Sequence, residues 1–396
     1  MTPPLNEPMQ SEAESPCLGA AVPAGQAIPV NAQPDAHFTS TEAACGHRTL
    51  SSHSDGEGHN MASRSEQIIC PSRCPQSPRP LVTTPYTESW PPAVLLLLSC
   101  VVVGAAGLGG NATRVALENE FRANTFLPQL MYIGPNGLGA CLMGFFVAAL
   151  PPEAELPLTY RALCVGFCGS LTTFSAWIVK VVVQDTAADA FGHLFIGGTL
   201  PIVLFIWGRD GGRGARWCCE RFIRCSWATW PSRRSVLWAV DVVVSVVAVL
   251  AAVLVPALVQ VRMSDGDLHA ITNDLRIVVL APAGAVTRFV LSVSLNRKTC
   301  AAQLPWGTLA ANLLGVLLAI SMLNMALRDP SCEWYTAIEK GISGALSTVS
   351  TLAKELVGFY GRGRVLSAYV YALVSVGLSL LIAGIGRPQM YGHSVS

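Results

Sequence analysis

The chain has 396 residues, 51% hydrophobic and 13% charged, with a formal net charge of +1, whereas soluble globular domains carry about 25% charged residues. That composition excludes a wholly water-facing protein. The lack of a basic excess excludes a binder of the phosphate backbone, so no nucleic-acid partner is expected.

In chain order, residues 1–90 are rich in Pro, Ser, Ala, Glu and His and show neither a helical nor a strand period, which predicts a disordered cytosolic tail. Met1 to Gln10 has neither the basic start nor the apolar core of a signal peptide. From Trp90 the chain becomes apolar, and about 20 apolar residues cross a hydrocarbon core about 30 Å thick. Nine spans are predicted, near Pro92–Asn111, Leu130–Leu150, Leu163–Val183, Phe191–Trp207, Val236–Val261, Arg276–Leu295, Trp306–Met325, Gly341–Tyr360 and Val365–Ile385. Without the alternation of a barrel strand they must be helices, because in lipid each backbone polar group needs a partner within its own segment. The class is an all-α membrane protein.

Between Arg209 and Arg234 seven arginines stand against Asp210 and Glu220, and positive loops stay in the cytosol. Four spans precede this loop, so the N-terminus is expected in the cytosol and the C-terminus outside. The acidic loop with Asp265, Asp267 and Asp274 then falls outside, and Arg297 with Lys298 and Arg362 with Arg364 fall inside. The thirteen cysteines follow no disulfide framework, and Cys70 and Cys74 lack partners at zinc spacing. Cys218 and Cys219, among arginines just past a span, are candidates for acylation.

Three patterns recur at an offset of 174 to 176 residues. Gly110-Asn-Ala-Thr-Arg114 matches Gly284-Ala-Val-Thr-Arg288, and Asn136 with Gly139 matches Asn312 with Gly315. Gly166-Phe-Cys-Gly-Ser-Leu-Thr-Thr-Phe-Ser175 matches Gly341-Ile-Ser-Gly-Ala-Leu-Ser-Thr-Val-Ser350. Each half thus holds four spans in the same order, and Val236–Val261 matches nothing else. One odd crossing makes the second half enter from the opposite face, so two inverted four-helix repeats joined by a linker helix are expected, with substrate sites near the midplane. The domain plan is a tail over 1–90, a first repeat over 91–208, a basic cytosolic loop over 209–235, a linker helix over 236–261, a second repeat over 275–386 and a tail over 387–396.

Gly-x-x-Gly-x-x-Thr-Thr-Phe-Ser within a membrane helix, Asn-x-x-Gly one helix earlier and Gly-x-x-x-Arg before that resemble the Fluc, or CrcB-type, fluoride channels. Two such units around a linker helix resemble the two-repeat fluoride export proteins of eukaryotes. The resemblance covers about Pro92 to Gly386 and implies a passive fluoride-selective channel at the plasma membrane. A single chain would supply both halves with pseudo-twofold symmetry. It also implies a structural sodium ion at the repeat interface, held by the backbone of Gly169, Thr172, Gly344 and Ser347. Small and hydroxyl residues at mid-span are where a helix can break and release carbonyls, although the same residues suit tight helix packing.

Fluoride is strongly hydrated, so its path needs donors that replace water. Asn136 and Asn312 offer amides, and Tyr371, Ser375 and Ser379 fall on one face of the last span. That row matches the family's polar track, against the alternative that the hydroxyls bond back to their i−4 carbonyls. The resemblance carries Phe174 and Trp177 over as pore aromatics and adds Thr173, Thr348 and Ser350 beside the breaks. Arg114 and Arg288 are expected to anchor helix ends. Lys180 and Glu355, at equivalent positions, are expected to snorkel.

Neither half keeps a complete set. Val349 and Leu352 replace the two aromatics in the second half, and the fourth span of the first half has only His193 and Thr199 as polar groups, with Gly197 and Pro201 near where the hydroxyl row would be. Gly307-Thr308 before Asn312 is Met131-Tyr132 before Asn136. The losses are complementary and predict one working path, of Asn312, Tyr371, Ser375 and Ser379 with Phe174, beside a degenerate second one. Gly341-Ile-Ser343-Gly344 spells an intramembrane-protease motif, but the only histidine after it is His393 in the tail, so no enzyme is expected. A proton-coupled inverted-repeat anion transporter is the alternative, and it would need a carboxylate deeper in the membrane than Asp241 or Glu355 are expected to lie.

Overall fold

The computed structural model describes residues 90–124, 131–222, 233–262, 268–296 and 304–391. Residues 1–89 of the tail expected over 1–90, the Arg297–Lys298 loop and part of the basic loop lie outside the described residues. Among the described residues there is no strand. The first half comprises α1 (Pro92–Asn124), α2 (Ile133–Ala149), a segment made of α3 (Pro157–Tyr160), a π-helical stretch (Arg161–Cys168) and α4 (Gly169–Leu171), then α5 (Phe174–Val182) and α6 (Ala187–Phe222). After α7 (Arg233–Arg262) the second half repeats the order. It comprises α8 (Leu268–Leu295), α9 (Trp306–Arg328), a segment made of α10 (Glu333–Ala337), a π-helical stretch (Ile338–Ser343) and α11 (Gly344–Leu346), then α12 (Val349–Gly361) and α13 (Val365–Tyr391).

Among the described residues, six helical stretches are long and apolar enough to cross a membrane: Pro92–Phe121, Pro157–Val182, Ala187–Cys219, Thr272–Leu295, Trp306–Arg328 and Val365–Arg387. Against the nine expected spans, the one near Leu130–Leu150 contains the shorter apolar helix Ile133–Ala149, the one near Val236–Val261 lies within α7 (Arg233–Arg262), and the one near Gly341–Tyr360 is interrupted at Ser347. α1 runs well past the expected Asn111, because Ala112 to Asn124 offers no helix-breaking residue.

The breaks are written locally. Thr172 (φ −96°, ψ 146°) and Ser347 (φ −91°, ψ 150°) leave the helix for the extended region, which β-branched and hydroxyl residues tolerate. The next residue then caps a new helix. Thr173 Oγ1 accepts from Ala176 N at 3.3 Å and Thr348 Oγ1 accepts from Thr351 N at 3.4 Å. Both π-helical stretches end at the residue before Gly169 or Gly344, an irregularity that clusters at functional positions.

The linker helix is tied to the first half by a fully buried carboxylate. Asp241 on α7 accepts from Leu158 N at 3.1 Å and Thr159 N at 2.5 Å, supplying oxygens to the otherwise unpartnered N–H groups that open α3.

Candidate ion pathway

Each break is clamped by the asparagine of the preceding helix. Thr173 N donates to Asn136 Oδ1 at 2.8 Å, and Asn136 Nδ2 donates back to Thr173 O at 3.1 Å. In the second half Thr348 N donates to Asn312 Oδ1 at 2.8 Å, and Asn312 Nδ2 donates to Thr348 O at 3.3 Å. In an unbroken helix those two N–H groups would have closed onto Gly169 O and Gly344 O. The asparagines therefore release the glycine carbonyls, which explains why Asn and Gly-x-x-Thr or Gly-x-x-Ser occur together in both halves.

The broken segments meet. Ser175 N donates to Ser347 Oγ at 2.9 Å, and Ser350 N donates to Thr172 Oγ1 at 3.2 Å. Thr172 Oγ1 lies 3.0 Å from both Thr348 Oγ1 and Ser350 Oγ. Ser343, the serine of the protease-like motif, donates to Gly315 O at 2.7 Å and its Oγ lies 3.0 Å from Ser175 Oγ, so it belongs to this network.

Arg114 and Arg288 are not at helix ends. They lie inside α1 and α8, are 2% exposed, and each reaches the broken segment of the opposite half. Arg288 Nη1 donates to Gly169 O and Ala345 O, both at 2.6 Å, and Nη2 donates to Val165 O at 2.7 Å. Arg114 Nη2 donates to Lys340 O and Asn111 Oδ1, while its Nη1 is buried without a partner. A Cβ on Gly169 or Gly344 would collide with the facing guanidinium, which is why both positions are glycine. A buried charge left unpaired costs several kcal/mol; carbonyls of the π-helical stretches (Val165, Lys340) and of α4 and α11 (Gly169, Ala345) accept from the two guanidinium groups, and Glu118 lies 3.7 Å from Arg114 Nε.

The last helices differ between the halves. Tyr371, Ser375 and Ser379 on α13 are all fully buried, and Ser375 Oγ and Ser379 Oγ have no hydrogen-bond partner among the described residues. Five other membrane hydroxyls, on Ser99, Thr113, Thr199, Ser245 and Thr287, each donate to the i−4 carbonyl. The back-bonding alternative thus accounts for those five and not for the row on α13. Glu355 does not snorkel. It accepts from Tyr371 Oη at 2.7 Å and from Thr308 Oγ1 at 2.7 Å, joining α9, α12 and α13 at one end of the row. The sequence signal for this role was present in Thr308 and Tyr371, polar groups that a membrane carboxylate would seek. Phe174, from the first half, is buried in the same cluster as Tyr371, and α5 packs on α9 and α13.

On α6, His193, Gly197 and Pro201 occupy the same distances from the helix start as Tyr371, Ser375 and Ser379 do on α13. This face is filled. The Trp177 indole lies against Gly197 so closely that a Cβ there would overlap the ring, and Trp177 Nε1 donates to His193 O at 2.9 Å. Tyr132, in the place of Thr308, shares a hydrogen bond of 3.0 Å with His193 Nδ1. Trp177 stands edge-on to Phe174 at 5.3 Å. A cavity of about 110 Å³ beside this face is lined by Arg114, Tyr132, Thr173, Ser175, Lys180 and Lys340 among others.

The family model described as "CrcB-like protein, Camphor Resistance (CrcB)" matches residues 101–209 and again 275–387, together more than half of the chain. The fluoride-specific ion channel FluC of Bordetella bronchiseptica is 39% identical over 118 residues, 29% of this chain and 88% of that protein. That of Pectobacterium atrosepticum is 33% identical over 113 residues, 28% of this chain and 87% of that protein. FluC 2 of Streptococcus pneumoniae is 32% identical over 111 residues, with coverages of 28% and 87%. No solved structure matches. With two copies of a unit that these relatives carry once, the chain belongs to the CrcB-like family.

Proposed function

We propose that the chain is a passive fluoride-selective channel of the plasma membrane, with one working path lined by Asn312, Tyr371, Ser375 and Ser379 and faced by Phe174. Its relatives are fluoride-specific ion channels by name, which supports fluoride. The observation that carries the path is the pair of fully buried serine hydroxyls on α13 without a partner. A buried hydroxyl left unsatisfied costs about 1–3 kcal/mol, and an anion that accepts from it offsets that cost. Tyr371 and Glu355 stand at one end of the row, where Glu355 orients the phenol. The face of α6 filled by Trp177 is the degenerate path.

The two halves are antiparallel, related by a pseudo-twofold axis. Reciprocal contacts support this, because Ser175 to Ser347 is answered by Ser350 to Thr172, and Arg288 on Gly169 by Arg114 beside Gly344, as a self-complementary interface requires. The single linker α7 supplies the odd crossing, with the N-terminus in the cytosol and the C-terminus outside. At the centre, the carbonyls of Gly169, Thr172, Gly344 and Ser347 would hold a sodium ion. The donor set fits a hard cation, since the glycine carbonyls are released from helical bonding, and at Gly169 the ion would share the oxygen with Arg288 Nη1. When bound, the ion supplies positive charge that fixes the two breaks.

Direction needs no fuel. A negative interior drives an anion outward by about 2.3 kcal/mol per 100 mV. Asp241 is engaged away from the path, on the N–H groups of α3, whereas Glu355 stands at the end of the row and accepts from two hydroxyls, so a proton-gradient arm is part of the test. Fluoride efflux from liposomes holding the purified protein tests this reading. Electrogenic fluoride flux without chloride flux or proton dependence is expected, and strict proton coupling or no flux would overturn it.

A further inference from the structure

α6 does not end where its apolar segment ends. Thirty-six residues span about 54 Å, against a hydrocarbon core of about 30 Å, and the charged residues begin at Arg209, just after the exposed Trp207. The extension is seated firmly. Gly208 and Gly212 lie so close to Cys141 O and Phe145 O on α2 that neither has room for a Cβ, so the end of α2 and the start of the extension form one surface.

On that surface Arg209, Arg213 and Arg216 follow one another at spacings of four and three, which places them on one helical face. With Val147, Ala148 and Trp217 they line an open cavity of about 400 Å³. Asp210 lies 3.2 Å from Arg213 Nη1 and 3.7 Å from Arg209 Nε, and the lining of the cavity itself carries the three arginines and no carboxylate. The cavity is therefore cationic on one wall and apolar on the other, at the level where a hydrocarbon core gives way to headgroups. Guanidinium forks match phosphate oxygens, and basic pockets at helix ends on the membrane surface suit anionic headgroups.

We propose that this cavity binds the phosphate of an anionic lipid headgroup from the adjoining leaflet, with Arg209, Arg213 and Arg216 as its ligands and Trp217 against the upper acyl chain. The simpler role for the arginines, complementing the carbonyl end of α2, would need no lipid.

Native mass spectrometry of the purified full-length protein, with phosphatidylserine or phosphatidylcholine added, separates the two. Wild type is expected to retain phosphatidylserine about tenfold better than phosphatidylcholine. R209Q/R213Q/R216Q loses that preference, R362Q/R364Q keeps it, and millimolar inorganic phosphate fails to displace the lipid. Equal retention of the two lipids, or a preference that survives the triple substitution, overturns the proposal. Displacement by inorganic phosphate would mark a free-anion site and overturn the lipid as its source. Should the triple variant fail to fold, wild type in rising NaCl and the single R213Q variant carry the test, and a preference that neither reduces is equally contrary.

Discussion

The two halves share their breaks, clamps and buried arginines, yet α13 presents hydroxyls where α6 presents His193, Gly197 and Pro201 under the Trp177 ring. The difference shows which parts of a duplicated unit are bound to which task. The break, its asparagine and the opposing arginine hold both halves together and persist in each. On the proposed reading the lining of a path is needed once; the corresponding face of α6, in the first half, is packed by Trp177.

Substitutions that act on one wall but not the other would break or sharpen this comparison. The largest effect is expected from Phe174→Ile, which removes the aromatic facing the row and should abolish fluoride efflux while the protein stays in the membrane, as measured by efflux against vesicle protein content. Ser375→Ala with Ser379→Ala should cut flux about 100-fold by removing two donors worth about 1–1.5 kcal/mol each. Trp177→Leu installs the residue found at its second-half counterpart, Leu352. It should cost about 2–4 kcal/mol in thermal unfolding of the solubilised protein and leave flux within about twofold. Asp241→Asn should cost about 1–2 kcal/mol in the same unfolding measurement by weakening the cap on α3. Glu355→Gln weakens the charge-assisted bonds to Tyr371 and Thr308 and should lower flux about five- to tenfold in stopped-flow efflux.

The local chemistry was legible in the sequence. Gly-x-x-Thr or Gly-x-x-Ser at mid-span, followed by a threonine able to cap and matched by an asparagine one helix earlier, marks the break, and both copies break there. What escaped were contacts made across long sequence separations. Nothing near Arg288 in the sequence says that two of its acceptors are Val165 and Gly169 on the other half. The extent of α1 was underestimated because a hydropathy boundary at Asn111 is no helix boundary; the polar residues after it continue the helix. Gly197 reads as a gap in a hydroxyl row, and only the position of Trp177 reveals that the gap is filled.

The central claim is that one wall conducts and the other does not. Tyr371 and Tyr132 are both buried, each at one end of its wall, and each hydrogen-bonded by its phenol. Fluoride efflux from liposomes with Tyr371→Ile and with Tyr132→Ile, at equal reconstituted protein, compares the walls directly. No efflux is expected for Tyr371→Ile and sustained efflux for Tyr132→Ile; efflux that survives the first substitution and is lost in the second would contradict a single conducting wall on α13.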